Sequence, residues 1–237
     1  MPLTNLLAEV RSCTVCADSL DAGPRPIVQV GSRARIVIIG QAPGRRVHES
    51  GIPWDDPSGV KLRTWLNLSE ADFYNPGIVA IVPMGFCYPG SAKSGDKPPR
   101  PECAPLWHDR LLEHLPDDRL EVIIGMYAQK RYIAKRAKTL TETVAQWQHY
   151  LPTQIVMPHP SPRNQHWLTK NPWFEAETLP AVRSRIDEVL SRGDGRRAYV
   201  ALSTPLRRTG SGSSRSGLTT QQVVFSLDGE DLGGNVK

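Results

Sequence analysis

The sequence predicts an α/β protein, a three-layer α/β/α sandwich built around a four-stranded, mostly parallel sheet. Two observations carry this prediction. Short runs of consecutive apolar, largely β-branched residues occur at positions 35–40, 78–82, 121–125 and 154–157, which is typical of parallel strands covered on both faces. Helical patterns lie between and after these runs, and such alternation of strands and helices indicates helices packed on both sides of one sheet.

Four segments carry the periodicity or the start signal of a helix. A short helix is predicted over 60–66, with Ser58 as its N-cap. Further helices are predicted over 107–115 and 127–138, and a longer amphipathic helix over 174–191. Each of them follows one of the predicted strands, so strands and helices alternate along the chain.

Residues 1–190 are predicted to form one domain, and residues 191–237 a disordered tail. Gly, Ser, Arg and Thr dominate the segment 209–220 without sustained periodicity, a composition that does not build a core. From Arg192 onward the chain holds seven basic and four acidic residues, so the tail carries +3 of the formal net charge of +5. The remaining +2 excludes a basic DNA-binding surface spread over the whole domain, and any such surface must be local.

The location of the protein is predicted from two absences in the sequence. No apolar stretch is long enough to span a bilayer, and the first residues lack the charged start and apolar run of a secretory signal. We therefore expect a cytoplasmic protein without membrane contact, acting as a monomer. Cysteines stay reduced in that compartment, so we expect the four cysteines to bind metal rather than to pair as disulfides.

The four cysteines fall into two pairs. Cys13 and Cys16 form a CxxC turn, while Cys87 and Cys103 are sixteen positions apart. Four thiolates can enclose zinc or an iron–sulfur cluster, whereas the structural alternative for the second pair is that of ordinary buried thiols. The Pro-rich segment 88–102 is long for an irregular loop in a compact domain, which favours an anchor at both of its ends. The five histidines other than His159 show no metal-ligand spacing with the cysteines and are expected on the surface or in packing positions.

Rigid loops follow the predicted strands, where parallel sheets bind their ligands. The first strand ends in Gly-Gln-Ala-Pro-Gly at residues 40–44, and the fourth in Pro-His-Pro-Ser-Pro-Arg-Asn at residues 158–164. Because the carboxyl ends of parallel strands share one edge of the sheet, we expect these two loops to face each other.

Taken in order, these motifs resemble those of the family 4 uracil-DNA glycosylases. Those proteins carry a CxxC, a strand ending in Gly-Glu-Ala-Pro-Gly, a cysteine pair around a Pro-rich loop, and a late His-Pro-Ser. This chain has matching motifs at 13–16, 40–44, 87–103 and 159–161, and the resemblance spans about residues 10–190. It implies that the four cysteines hold a [4Fe–4S] cluster, with zinc as the lesser alternative.

The resemblance also implies an activity. A base inside a duplex cannot be reached, so such an enzyme extrudes the nucleotide into a pocket. It then hydrolyses the N-glycosidic bond of uracil, or of a related deaminated base, and leaves an abasic site for base excision repair. His159 would donate to a uracil carbonyl oxygen as negative charge grows there, with a turn-capping loop histidine as the structural alternative.

Other candidate residues are assigned from their position in the same motifs. The segment Gly-Ile-Pro-Trp at residues 51–54 matches Gly-x-Pro-Phe of the family, so Trp54 would stack on the extruded base, or else be an ordinary packing residue. Ser161 either binds a DNA phosphate or caps its own turn. Arg100 and Arg163 are candidate phosphate contacts, and Asn164 is a candidate for the base edge because it is close to His159 in the chain.

Two positions depart from the family pattern. Gln41 replaces the acidic residue of the first motif, and a glutamine cannot act as a general base, although it can position a water molecule. Pro83 stands where the family has an asparagine that reads the uracil edge. Asp56, within an Asp-x-Ser-Gly element that resembles family 5, is our candidate for the missing charge. These departures give weight to an alternative function, a catalytically weak or inactive iron–sulfur module that binds nucleic acid.

The candidate residues form three groups. The catalytic candidates are His159, Gln41 and Asp56. The substrate-binding candidates share a position on the loops at the carboxyl edge, and they are Gly40, Ala42, Pro43, Gly44, Trp54, Ser161 and Asn164. The metal-binding candidates are Cys13, Cys16, Cys87 and Cys103.

Overall fold

The computed structural model describes residues 1–193 of the chain. Its centre is a four-stranded sheet in which neighbouring strands are parallel and the strand order is β2-β1-β3-β4. The strands, in chain order, are β1 Ile36–Ile39, β2 Val79–Ile81, β3 Leu120–Ile124 and β4 Gln154–Met157. The predicted fold class and all four predicted strands are confirmed.

Strand β1 shows why consecutive apolar residues predict a buried parallel strand. All four of its residues are fully buried. Ile36 and Ile38 belong to one apolar cluster, and Val37 and Ile39 to a second cluster on the opposite face. Successive side chains of a strand point to opposite faces, so β1, which is covered on both faces, carries an apolar side chain at every position.

Nine α-helices lie within residues 1–193 and cover both faces of the sheet. Helices α3, α4, α7, α8 and α9 contribute side chains to the first cluster, and α1, α5 and α6 to the second. The helices are α1 Leu3–Arg11, α2 Arg45–Ser50, α3 Pro57–Leu66, α4 Glu70–Phe73, α5 Asp109–Leu112, α6 Gly125–Tyr132, α7 Leu140–Ala145, α8 Gln165–Lys170 and α9 Leu179–Gly193.

The start of α3 corrects one prediction. Its N-cap is Asp56 and not Ser58, because a carboxylate oxygen of Asp56 accepts a hydrogen bond of 2.8 Å from the backbone N–H of Gly59. Pro57 occupies the first helical position, where its missing N–H has no cost. The helix therefore begins three residues earlier than the apolar pattern indicates.

The other predicted helices differ mainly in their ends. The helix expected over 107–115 consists of a π-helical turn, Ala104–His108, that continues into α5. The helix expected over 127–138 is α6, which ends at Tyr132. The long C-terminal helix is present as a π-helical turn, Phe174–Thr178, followed by α9.

Five helices were not predicted: α1, α2, α4, α7 and α8. Four of them have only four to six residues, too few for a periodic pattern. Helix α7 nevertheless carries a readable signal, a capping box in which Thr139 and Glu142 bond each other's backbone N–H groups. The predicted disordered tail, 191–237, lies outside the described residues except for its first three positions, which complete α9. Within residues 1–193, no helix is both long and apolar enough to cross a membrane.

Candidate active site

A cavity of about 500 Å³ opens at the carboxyl edge of the sheet. The loops that follow β1, β2 and β4 form most of its wall, together with the segment 53–58 and Asp96 from the segment between the second pair of cysteines. The structure brings all ten catalytic and substrate-binding candidates to this wall: Gly40, Gln41, Ala42, Pro43, Gly44, Trp54, Asp56, His159, Ser161 and Asn164.

The loop after β1 is fixed to the loop after β2. The backbone N–H groups of Met84 and Gly85 donate to the carbonyl oxygens of Gly40 and Gln41, both at 2.9 Å. Glycine at position 40 makes room for the Trp54 ring, since a Cβ there would lie 2.8 Å from it. The indole therefore lies directly on the backbone at the end of β1.

Trp54 is held in an unusual backbone conformation. Its φ of 57° lies in the left-handed region, which costs a residue other than glycine on the order of 1–3 kcal/mol. Its carbonyl oxygen packs so closely on Gly59 that a Cβ at that position would lie 1.8 Å away. The indole stacks on the imidazole of His159 with ring centroids 5.4 Å apart and planes 30° apart. The two rings form one aromatic side of the cavity.

His159 is positioned by its own loop. The prolines on either side, Pro158 and Pro160, are buried, and the side-chain amide of Asn164 donates to the carbonyl oxygen of His159 at 2.7 Å. Burial lowers the pKa of the imidazole, although the nearby Asp56 acts in the opposite direction. His159 is therefore neutral at neutral pH and offers a single ring N–H.

Two carboxylates reach the cavity, and sequence reasoning found only one of them. Asp56 is the predicted residue, and one of its oxygens is already bonded as the N-cap of α3. Asp96, which was missed, comes from the segment 87–103. Partial burial raises the pKa of its carboxyl group, while Arg163 lowers it, Asp56 raises it further and Arg45 lowers it. No local pattern marks Asp96, because its place depends on how the segment folds back.

Ser161 and the two arginines occupy different places. The hydroxyl of Ser161 accepts a hydrogen bond of 3.3 Å from the backbone N–H of Arg163 and caps the short turn Pro162–Asn164. The side chain of Arg163 lines the cavity. Arg100 does not, since it lies beside the cysteines and forms an ion pair of 2.6 Å with Glu102.

The loop after β2 is held from below by a buried histidine. The Nε2–H of His108 donates to the carbonyl oxygen of Pro83 at 3.0 Å, its Nδ1 accepts from the hydroxyl of Tyr132, and its ring stacks on Phe86. The side chain is fully buried, and burial lowers its pKa to about 4. The expected packing role of this histidine is confirmed.

A second, much smaller pocket is lined by the four cysteines. Leu20, Phe86 and Trp107 supply apolar walls. Cys87 and Cys103 are buried, the other two are half-buried, and all four are free thiols. Burial, with a smaller contribution from the neighbouring cysteines, raises the pKa of Cys87 to about 11 and that of Cys103 to about 12. The four soft sulfur donors in an apolar setting fit the chemistry of an iron–sulfur cluster. Within residues 1–193, no three His, Cys, Asp or Glu side chains are arranged so that they hold a single metal ion.

Comparison with known families decides what kind of protein this is. A family model described as the uracil DNA glycosylase superfamily matches residues 28–183, which is more than half of the chain. The chain belongs to this superfamily. The match contains the whole parallel sheet and every residue that lines the cavity except Ile27, which immediately precedes it.

The extent of the match separates the two pockets. All ten catalytic and substrate-binding candidates at the cavity lie within the matched residues. Of the four cysteines, Cys87 and Cys103 lie inside the match, whereas Cys13 and Cys16 precede it. Membership of the superfamily therefore accounts for the fold and the cavity.

Proposed function

We propose that this protein is a DNA glycosylase that removes uracil, or a related deaminated base, and leaves an abasic site. One observation carries the proposal: an aromatic wall, a neutral imidazole and a rigid Gly-rich loop line a single cavity in a chain of the uracil DNA glycosylase superfamily. The volume of about 500 Å³ lies in the range of pockets that enclose small ligands.

His159 stabilises the departing nucleobase. When the bond between C1′ of the sugar and the ring nitrogen breaks, the electron pair leaves with the base and its carbonyl oxygens gain negative charge. A neutral imidazole held by Asn164 and flanking prolines can direct its N–H at such an oxygen without moving. A preorganised donor of this kind stabilises the transition state more than the ground state.

Asp56 and Gln41 act on the sugar and on the attacking water. The sugar becomes cationic as the base departs, and the Asp56 carboxylate, fixed as a helix cap, supplies a compensating charge. The amide of Gln41 can hold the attacking water. It cannot take the proton of that water, so a proton acceptor must come from elsewhere.

Recognition of the nucleotide is divided among the remaining residues. Trp54 offers a flat apolar face for the extruded base. The backbone N–H groups of Ala42 and Gly44 and the guanidinium of Arg163 are suited to phosphate. With its amide N–H committed to His159, Asn164 retains a side-chain oxygen as an acceptor for the base edge. This acceptor is our candidate replacement for the asparagine that Pro83 displaces.

We propose further that the four cysteines hold a [4Fe–4S] cluster. When bound, it would supply a rigid structural link between the N-terminal CxxC turn and both ends of the segment 87–103. Protein purified without oxygen should be brown, absorb broadly in the blue, and contain iron and sulfide in about equal amounts. Colourless protein with one bound zinc per chain contradicts this assignment.

The activity is tested with oligonucleotides that contain one uracil, hypoxanthine or unmodified base, as single and double strands. Cleavage by alkali after incubation reports abasic sites, and the uracil-containing strands should be cut while the unmodified strands stay intact. The replacements at Gln41 and Pro83 favour one competing function, a binding module without catalysis. Binding of all oligonucleotides without any abasic site would establish that function instead.

A further inference from the structure

A short hairpin inside the segment 87–103 carries Asp96 to the cavity. Ser91 and Asp96 form an antiparallel bridge. The backbone N–H of Lys97 donates to the carbonyl oxygen of Gly90 at 2.8 Å, which closes the hairpin at its base. The position of Asp96 is therefore set by backbone pairing.

The hairpin is also packed against the body of the domain. Lys97 forms an ion pair of 2.9 Å with Asp21 on the outer side. On the inner side, Gly95 lies so close to Arg163 that a Cβ there would be 2.5 Å from the guanidinium. Gly95 has a φ of +88°, a backbone conformation that favours glycine in this turn.

The carboxylate of Asp96 lies beside the motif at residues 40–44. A Cβ built at Gly44 would lie 3.6 Å from Oδ2 of Asp96, which places this oxygen beside the loop that also carries Gln41. The charged groups facing it are Arg163 after β4, Arg45 on α2 and Asp56 before α3. Both arginines favour its ionised form.

We propose that Asp96 is a catalytic residue that accepts the proton of the attacking water. It would return to the cavity the acidic group that Gln41 lacks. Unlike the carboxylate of Asp56, that of Asp96 is not committed to a helix cap, and it is presented beside the loop that holds the water. This inference rests on the proposed glycosylase function.

The step balances without any further reactant. The oxygen of water forms a bond to C1′ of the sugar, and the bond from C1′ to the ring nitrogen breaks. Its electron pair leaves with the base. The carboxylate of Asp96 takes one proton from the water and later passes it to the departing base, so that the enzyme returns to its starting state.

The test compares single-turnover excision of uracil by the full-length wild type, D96N and D21N. Asp21→Asn is a matched control, because it also replaces an aspartate by an asparagine. Asp21 pairs with Lys97 on the outer side of the hairpin and does not line the cavity. We expect D96N to be slower by about 100-fold or more, and D21N to retain the wild-type rate. DNA binding, measured by fluorescence anisotropy, should be retained or increased in D96N because a negative charge is removed.

A pH profile separates catalysis from a merely structural role. A proton acceptor works only when ionised, so the wild-type rate should fall as the pH drops through a carboxyl pKa above the usual aspartate range, and D96N should lack this fall. Equal rates for D96N and D21N, or loss of DNA binding in D96N, overturn the assignment and leave the glycosylase function intact. Absence of excision by the wild type on every oligonucleotide removes both.

Discussion

The cavity and the thiol pocket make opposite use of their side chains. In the cavity, of about 500 Å³, residues such as His159 and Asp96 are held through their backbone, and their side chains line the space open to a ligand. In the thiol pocket, the cysteines are enclosed by apolar side chains such as Phe86 and Trp107. The difference teaches that changes at the cavity should lower activity, whereas changes at the thiol pocket should lower stability.

One segment belongs to both regions. Cys87 and Cys103 at its ends line the thiol pocket, and Asp96 near its middle lines the cavity. Damage at the thiol pocket should therefore reach the cavity through the hairpin, while damage at the cavity should not reach the thiol pocket. The dependence between the two regions therefore runs in one direction, from the thiol pocket to the cavity.

The largest expected effect is that of Cys103→Ala. Loss of one ligand of the proposed cluster should lower the free energy of unfolding by about 4–5 kcal/mol or more and also abolish excision, because the hairpin loses its anchor. Thermal unfolding without oxygen and iron analysis measure this. Val15→Ala is the control: it lies between the first two cysteines, is 64% exposed, and should change neither quantity. A C103A protein with native iron content and stability would contradict a structural role of the cysteines.

His159→Ala should affect activity alone. Loss of a preorganised donor to a developing oxyanion typically costs about 100- to 1,000-fold in rate. The side chain is only half-buried, so the melting temperature should change little. Single-turnover excision and calorimetry on the same protein decide the matter. Turnover near the wild-type level contradicts the role of His159, and a collapsed melting transition contradicts the division between the two regions.

His108 should affect stability alone, and in a pH-dependent way. Its pKa is lowered from 6.5 to about 4 by burial, so the unfolded chain binds a proton that the folded chain does not between these values. Stability from this group is therefore complete above pH 6.5 and is lost as the pH falls toward 4, by about 3 kcal/mol in total. Urea titrations of wild type and H108Q across this range should show that the variant lacks this part of the dependence. If the stabilities of wild type and H108Q depended on pH in the same way, this role of His108 would be refuted.

The smallest effect concerns the aromatic wall. Gly40→Ala forces the Trp54 ring to shift, because the new Cβ would lie 2.8 Å from it; overpacking of this kind costs about 1–3 kcal/mol. Gly59→Ala is the matched comparison, since its Cβ would meet the Trp54 backbone at 1.8 Å, and backbone moves less readily than a ring. We expect G40A to slow excision by less than His159→Ala does, with a modest drop in melting temperature, and G59A to lower the melting temperature further. The reverse order of stabilities contradicts this account.

The sheet and the cavity loops were predictable because their signals are local. Four consecutive apolar residues at 36–39 reflect burial on both faces, and the motif at 40–44 follows from where β1 ends. The N-cap at Asp56 was missed because Ser58 is also a favourable cap, although Pro57 marks the first helical position. Asp96 was not predictable in the same way: its carboxylate meets Gly44 across fifty-two positions of chain, and only the folded hairpin creates that contact.

The stacked pair of Trp54 and His159 gives the protein an optical reporter of its own. A base that enters between the rings, or slides over the outer indole face, changes the surroundings of a chromophore at the point of recognition. Tryptophan emission should then follow nucleotide extrusion in real time, and a W54F protein identifies which part of the signal arises there. Under the proposed glycosylase function, extrusion and bond cleavage would become two separately timed events in the unlabelled protein.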